Sequence, residues 1–534
     1  MAKSKTGIKE AFDKLEYNNS EDNYPQNSFF KGLEAPSRFE AEVYNCIIRG
    51  TIPPQIDGTF YRVMPDTVWA PRCEDDIFIN GDGAIDAVRI RDGHADFKQR
   101  YVRSQKFLVE RAARKALFGQ WRNIWTDDPR VRHMDHASGN THVVLYDKQL
   151  LAMKEDGLPY AMDPDTLETK AHPKIDPSTG ELITMGYAAK GEGSPDVAYY
   201  LFDKHGKKLE ECWFQAPYVG VMHDIAATDK WIIFTLNPLA NVPEDLLKAG
   251  HKVYGWDETK SLCLGILPRR NPKPEMVKWF EYKNAFVGHT SNAFDGEDGC
   301  IYFDAPVTNY NLFWFFPPIG QDMASAPSSK PPKDGALSHL MRFKLDPNST
   351  EKTLKPTVLV DVDGELPRID SRYETKPYKY VFIAMHDPNT DDAPVGGAFN
   401  SLAKANVEDG TYEYWSAGKD VALGEVAFVA RSKDAPEGDG YALSVVNRRD
   451  TMLSQVVVVD TAKMAEGPVA IIELPFRLRS GIHGTWVMAD ELATDKDLCD
   501  MTGVTDEMRK EFGKPSLNRM VGINGTNSTN GNTH

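Results

Sequence analysis

The chain has 534 residues, of which 41% are hydrophobic and 26% charged, so it can bury a large core. Lys and Arg number 62 against 78 Asp and Glu, and the resulting charge of -16 favours solubility and argues against nucleic acid as a partner. The 6 cysteines (Cys46, Cys73, Cys212, Cys263, Cys300 and Cys499) contain no CxxC pair, so neither a thiolate zinc site nor a disulfide framework is suggested, which leaves nitrogen or oxygen to hold any metal.

The first residues, "MAKSKTGIKEAFDKLEYNN", lack an apolar core of signal-peptide length, and no apolar run along the chain is long enough to span a bilayer. A cytoplasmic protein is expected. Residues 1–35 read as an N-terminal extension, 36–515 as a single domain, and 516–534 as a disordered polar tail. "SQKFLVERAARKALFGQW" at 104–121 has apolar residues at helical spacing and predicts an amphipathic helix packed over a β core.

Elsewhere the chain consists of short β-rich runs, among them "DVAYYLFD", "KWIIFTL", "CIYFDAPV", "HLMRFKL" and "SQVVVVD". Acid–glycine turns precede such runs in "KEDGLPYAMD", "GEDGCIYFD", "VEDGTYEYW" and "EGDGYALSVV". Many antiparallel strands without a composition break point to radial repetition, hence an all-β propeller.

Of the 13 histidines, most sit in polar or turn sequence. His133, His136 and His142 in "RHMDHASGNTH" are expected on a solvated loop. His223 in "VMHDIAATDKWIIF" precedes a buried strand, whereas His386, also within Met-His-Asp, runs into the irregular "PNTDDAPVGG". His172, His289 in "FVGHTSNAF" and His483 in "RSGIHGTWV" share the setting of His223, beside small residues or turns next to strand sequence. Blades of a propeller bring distant residues to one axis, and four neutral imidazoles suit iron, copper, nickel or zinc.

The motifs "TIPPQIDGTFYRVMPD", "DDIFINGDGAIDAVRI", "LLAMKEDGLPYAMDP", "KAHPKIDPSTGEL", "VMHDIAATDKWIIF", "GELPRID", "GEVAFVAR" and "RSGIHGTW" together resemble the carotenoid cleavage oxygenases, most closely their fungal and bacterial stilbene-cleaving branch. The resemblance implies a seven-bladed β-propeller with helical segments capping the active-site face. It implies non-haem Fe(II) on His172, His223, His289 and His483, with Glu155, Glu365 and Glu425 orienting three of the rings. Thr141 matches a threonine beside an open iron position, and Lys154 matches a lysine that contacts the substrate phenol. Trp121 stands where the branch has a second phenol contact, a tyrosine; Trp69 and Phe78 match pocket-wall positions. The family also places a further segment between "DTLE" and the first iron histidine, and here the two are almost fused.

The expected activity is therefore O2-dependent cleavage of a conjugated alkene, such as the central bond of a hydroxystilbene, into two aldehydes. The expected partners are a small apolar or phenolic alkene and O2, with no nucleic acid and no transmembrane segment. A carotenoid or apocarotenoid substrate is the alternative within the family, and a non-catalytic propeller binding a hydrophobic ligand or partner is the alternative outside it.

Overall fold

The computed structural model describes residues 24–170, 180–321, 338–389, 398–492, 496–505, 507, 508 and 511. Its strands form a seven-bladed β-propeller with one additional two-stranded hairpin, Leu239–Asn241 with Tyr254–Trp256. The turns singled out in the sequence join neighbouring strands inside blades. "KEDG" links Gln149–Met153 to Tyr160–Met162, and "EDG" at 297–299 links Asn292–Asp295 to Ile301–Val307.

Two blades are closed by segments distant in sequence. Gly484–Met488 pairs with Gly58–Asp66, adding an inner strand from the end of the ring to a sheet begun near its start. Ile47–Gly50 pairs with Pro468–Glu473 on the outside of the preceding blade. Gly58–Asp66 and Gly440–Arg448 are buried along almost their whole length, because each is flanked by strands and covered by adjacent blades. Apolar clusters lie between sheets, for example Phe60, Val88 and Phe97 against Leu443, Val456 and Ile472.

The described part of the N-terminal extension packs on this propeller. Phe29, Phe30 and Leu33 are buried. The buried Arg479 guanidinium donates to the carbonyls of Phe29 (2.6 Å) and Pro65 (2.8 Å), tying the extension to the closing blade. Residues 1–23 and the expected tail, 516–534, lie outside the described residues.

The helix expected over 104–121 is shorter, Gln105–Ala113. The Ser104 side chain caps its start, accepting from the Phe107 N–H, and Arg114 ends it in a left-handed conformation with φ 57°. Glu110 then accepts the backbone N–H groups of Leu117 (2.8 Å) and Phe118 (3.0 Å), folding the following residues back. The basic face is not wholly solvated: Lys106 is buried between Asp82 (3.0 Å) and Glu110 (2.8 Å). Among the described residues, no helix is long and apolar enough to cross a membrane.

Lys106→Met leaves two buried carboxylates without their cation. Breaking a buried pair typically costs about 3–5 kcal/mol, so chemical denaturation is expected to show destabilisation of that order, with Lys31→Met unchanged.

Candidate metal centre

His223 and His289 immediately precede the inner strands Ile225–Ala227 and Asn292–Asp295, and His483 precedes the closing strand Gly484–Met488. The propeller thus delivers three imidazoles to one place: a ligand nitrogen of each lies within 4.8 Å of the others. His223 Nε2 and His289 Nε2 are 3.2 Å apart, and the rings of His289 and His483 stand edge to face at 4.6 Å.

Each ring has a carboxylate behind it. His223 Nδ1 faces Glu155 Oε1, His289 Nδ1 lies 2.7 Å from Glu365 Oε2, and His483 Nδ1 lies 2.8 Å from Glu425 Oε1. Ionised carboxylates only accept, so each Nδ1 carries the proton and each Nε2 presents a lone pair. Two lone pairs facing at 3.2 Å repel unless a cation lies between them, and this donor set fits a borderline divalent metal.

The braces are themselves held. Tyr187 donates its hydroxyl to Glu155 Oε2 at 2.5 Å. The Glu425 carboxylate accepts from Arg368 (2.9 Å) and from the Gly484 N–H (2.8 Å). Although burial pushes the Glu425 carboxyl up, Arg368 and His483 outweigh it and hold it well below the usual range. Burial lowers the affinity of His223 for a proton, but Glu155 more than restores it. Burial keeps His483 below its ordinary value despite Glu425.

The local sequence explains the fit. At Gly288, just before His289, a Cβ would come within 2.2 Å of Glu365 Oε1. Leu366, directly after Glu365, is held at φ 57°, and the strand pairing slips between Glu365 and Arg368. Such a conformation is strained for leucine and persists because the surroundings over-determine it.

A cavity of about 420 Å³ opens on the three histidines. It is lined also by Thr141, His142, Lys154, Glu155, Arg368 and Glu425. Lys154 is buried and donates to Ile79 O (3.0 Å) and Ser138 Oγ (3.1 Å), so one ammonium proton remains to be shared. Burial lowers its pKa. The Thr141 hydroxyl is within 3.1 Å of Asn140 Oδ1.

The structure does not bring the other expected contacts to this cavity. Trp121 is buried with its indole N–H on Asp156 Oδ2 and its ring against Tyr254 and Phe316. Phe78 packs on Phe29 and Phe315, and Trp69 lies under the Arg38 guanidinium. None of the three lines the cavity. His172 lies outside the described residues.

His142 corrects the sequence reading in the opposite direction. It is no solvated loop residue: it begins the inner strand His142–Tyr146, lines the cavity, and sits edge to face on His483 at 5.3 Å. The polar run "HASGNTH" hid a strand whose first residues face the axis. His386, by contrast, stays with Asp363 (2.9 Å), away from the cluster.

A family model described as retinal pigment epithelial membrane protein matches residues 34–488. The chain belongs to the carotenoid cleavage oxygenase family. Among family members, resveratrol cleavage oxygenase 1 of Aspergillus fumigatus is 39% identical over 499 residues, covering 89% of this chain and 98% of that protein. Isoeugenol monooxygenase of Pseudomonas nitroreducens is 40% identical over 475 residues, covering 85% and 97%. The crystal structure of Pseudomonas brassicacearum lignostilbene dioxygenase superposes with a TM-score of 0.81 at 38% identity, covering 87% of this chain and 99% of that one.

His223→Ala is expected to abolish bound metal, measured as metal per chain after gel filtration, and His386→Ala to leave it unchanged. Glu365→Gln and Glu425→Gln each remove a carboxylate behind a ring, and should weaken metal affinity about 10–100-fold in chelator competition.

Proposed function

We propose that the protein is a non-haem Fe(II) dioxygenase that cleaves the central alkene of a hydroxystilbene, such as resveratrol, with O2 to give two aldehydes. The observation that carries this reading is the convergence of three carboxylate-braced imidazoles on a cavity that also receives a buried lysine. The stilbene-cleaving relatives support the same substrate class.

His223, His289 and His483 would hold the iron, which would supply activation of O2 when bound, and the family resemblance adds His172 as the fourth ligand. The carbon–carbon double bond breaks and each carbon takes one oxygen atom, so no reductant is consumed. Lys154 serves the phenol. Its ammonium is anchored by two acceptors, leaving a proton directed by geometry rather than by a flexible stem. A desolvated amine with a lowered pKa can hydrogen-bond a phenol or accept its proton, which increases electron density in the conjugated alkene. Lys154 itself is buried, so its hydrogen bond to a phenol acts in a lower dielectric than bulk water.

The test compares resveratrol with its 4′-O-methyl ether, using iron-loaded protein under O2 and chromatographic detection of aldehydes. One hydrogen bond to a charged group contributes about 1.5–3 kcal/mol, so Lys154→Ala is expected to lower kcat/KM for resveratrol about 10–100-fold. It should scarcely affect the ether. Cleavage only of a non-phenolic polyene, independent of Lys154, would replace the stilbene reading with the carotenoid one.

A further inference from the structure

We propose that His142 is a specificity-determining residue whose imidazole hydrogen-bonds a hydroxyl or carbonyl oxygen carried by the substrate next to the scissile double bond. The inference deepens the function proposed above and rests on it. It concerns a residue to which the family resemblance assigns no role.

The position of the ring comes first. His142 opens on the same cavity as His223, His289 and His483, and its ring stands edge to face on that of His483 at 5.3 Å. It therefore lies beside the metal centre, where the alkene must sit to react. Yet it is not built as the three convergent histidines are. Among the described residues its nitrogens are not part of the group that meets within 4.8 Å, and no carboxylate hydrogen-bonds it.

Among the described residues neither ring nitrogen has a hydrogen-bond partner. A neutral imidazole at this place on the cavity wall offers one N–H donor and one lone pair. Water can satisfy both while the cavity is open. An apolar alkene that displaces this water strands the two nitrogens, whereas a substrate with an oxygen at that point replaces the lost bond. A site built around a buried polar group discriminates against the analogue that lacks the matching one.

The strand register separates this contact from that of Lys154. His142 pairs with Met153, and Lys154 directly follows Met153 past the end of its strand, so the two polar side chains flank the same end of one hairpin. Lys154 is drawn toward Ile79 O and Ser138 Oγ, while His142 leans on His483. One hairpin thus presents two handles: an amine for a remote phenol and an imidazole for an oxygen close to the bond that breaks. The chemical class that fits both is a hydroxystilbene with a further hydroxyl ortho to the alkene, or an aryl alkene conjugated to a carbonyl.

The experiment uses para-hydroxystilbene and its analogue with a second hydroxyl on the other ring, ortho to the alkene. Their binding to the metal-free full chain is measured by calorimetry, and their cleavage by the iron-loaded chain as kcat and KM. A hydrogen bond between neutral groups contributes about 0.5–1.5 kcal/mol, so the ortho hydroxyl is expected to tighten binding to the wild-type chain about 3–10-fold. His142→Leu should erase that ratio, and His142→Gln, which keeps a donor and an acceptor, should retain part of it. Circular dichroism checks that both variants fold, and metal per chain is expected to match wild type. Equal binding of the two compounds to the wild-type chain, or a ratio that survives in His142→Leu, would overturn the contact. Loss of bound metal in both folded variants would make His142 a metal ligand instead and overturn it too. A wild-type chain that shows the binding ratio but cleaves neither compound would overturn the dioxygenase reading and leave the contact standing.

Discussion

The ring of blades depends on one strand pairing, that of Gly484–Met488 with Gly58–Asp66. Antiparallel hydrogen bonds between segments from opposite ends of the ring close the sheet and remove two unpaired edges at once. The same pairing carries His483 to the axis: Val63 donates its backbone N–H to the His483 carbonyl at 2.9 Å, so the position of this imidazole is set by the closure itself. Gly484 follows because the Tyr61 carbonyl leaves 2.6 Å where a Cβ would stand. Fold and candidate metal centre therefore share their determinants, and loosening the closure displaces the His483 imidazole.

The braces behind the histidines add a second layer of coupling. Glu365 comes from the inner strand Gly364–Ile369 and supports His289 of the preceding blade. Glu425 lies between Val421–Leu423 and Ala427–Ala430 and supports His483 of the closing blade. Each carboxylate thus crosses a blade boundary, and the ion pair of Glu425 with Arg368 crosses another. Charges this deep are costly unless fully paired; here each acid accepts from several donors, which fixes ring orientation as well as protonation. The polar axis works as a set of mutually locked wedges.

Much of this is legible in the chain. His223, His289 and His483 each adjoin a β-rich run, and the turn motifs mark the hairpins, because strand alternation and Gly-containing turns are local signals. The three glutamates can be paired with the rings only through family resemblance, since no local pattern tells a turn acid from one that reaches across blades. What the sequence hides has the same cause. His142 follows the polar "ASGNT" and carries no apolar neighbour on its N-terminal side, so its place on an inner strand emerges only from pairing with Met153. The helix at 105–113 is cut short by Glu110 capturing the Leu117 and Phe118 N–H groups, a tertiary choice that periodicity does not encode. Likewise Trp121, Trp69 and Phe78 are as aromatic as a cavity wall demands, yet Asp156, Arg38 and Phe29 claim them.

The late position of the closing strand has a consequence for the order of events in synthesis. When the ribosome has produced everything up to Leu453, the chain already contains His223, His289 and all three bracing glutamates, but neither His483 nor the strand that shuts the ring. Long-range pairing of this kind is slow relative to local hairpins, because loop closure precedes any gain in contacts. Metal captured by the early histidines would meet an open, hydrated axis and exchange readily. The three braced imidazoles come together only once the last blade has docked, so a metal held by all three would be secured by the final folding event.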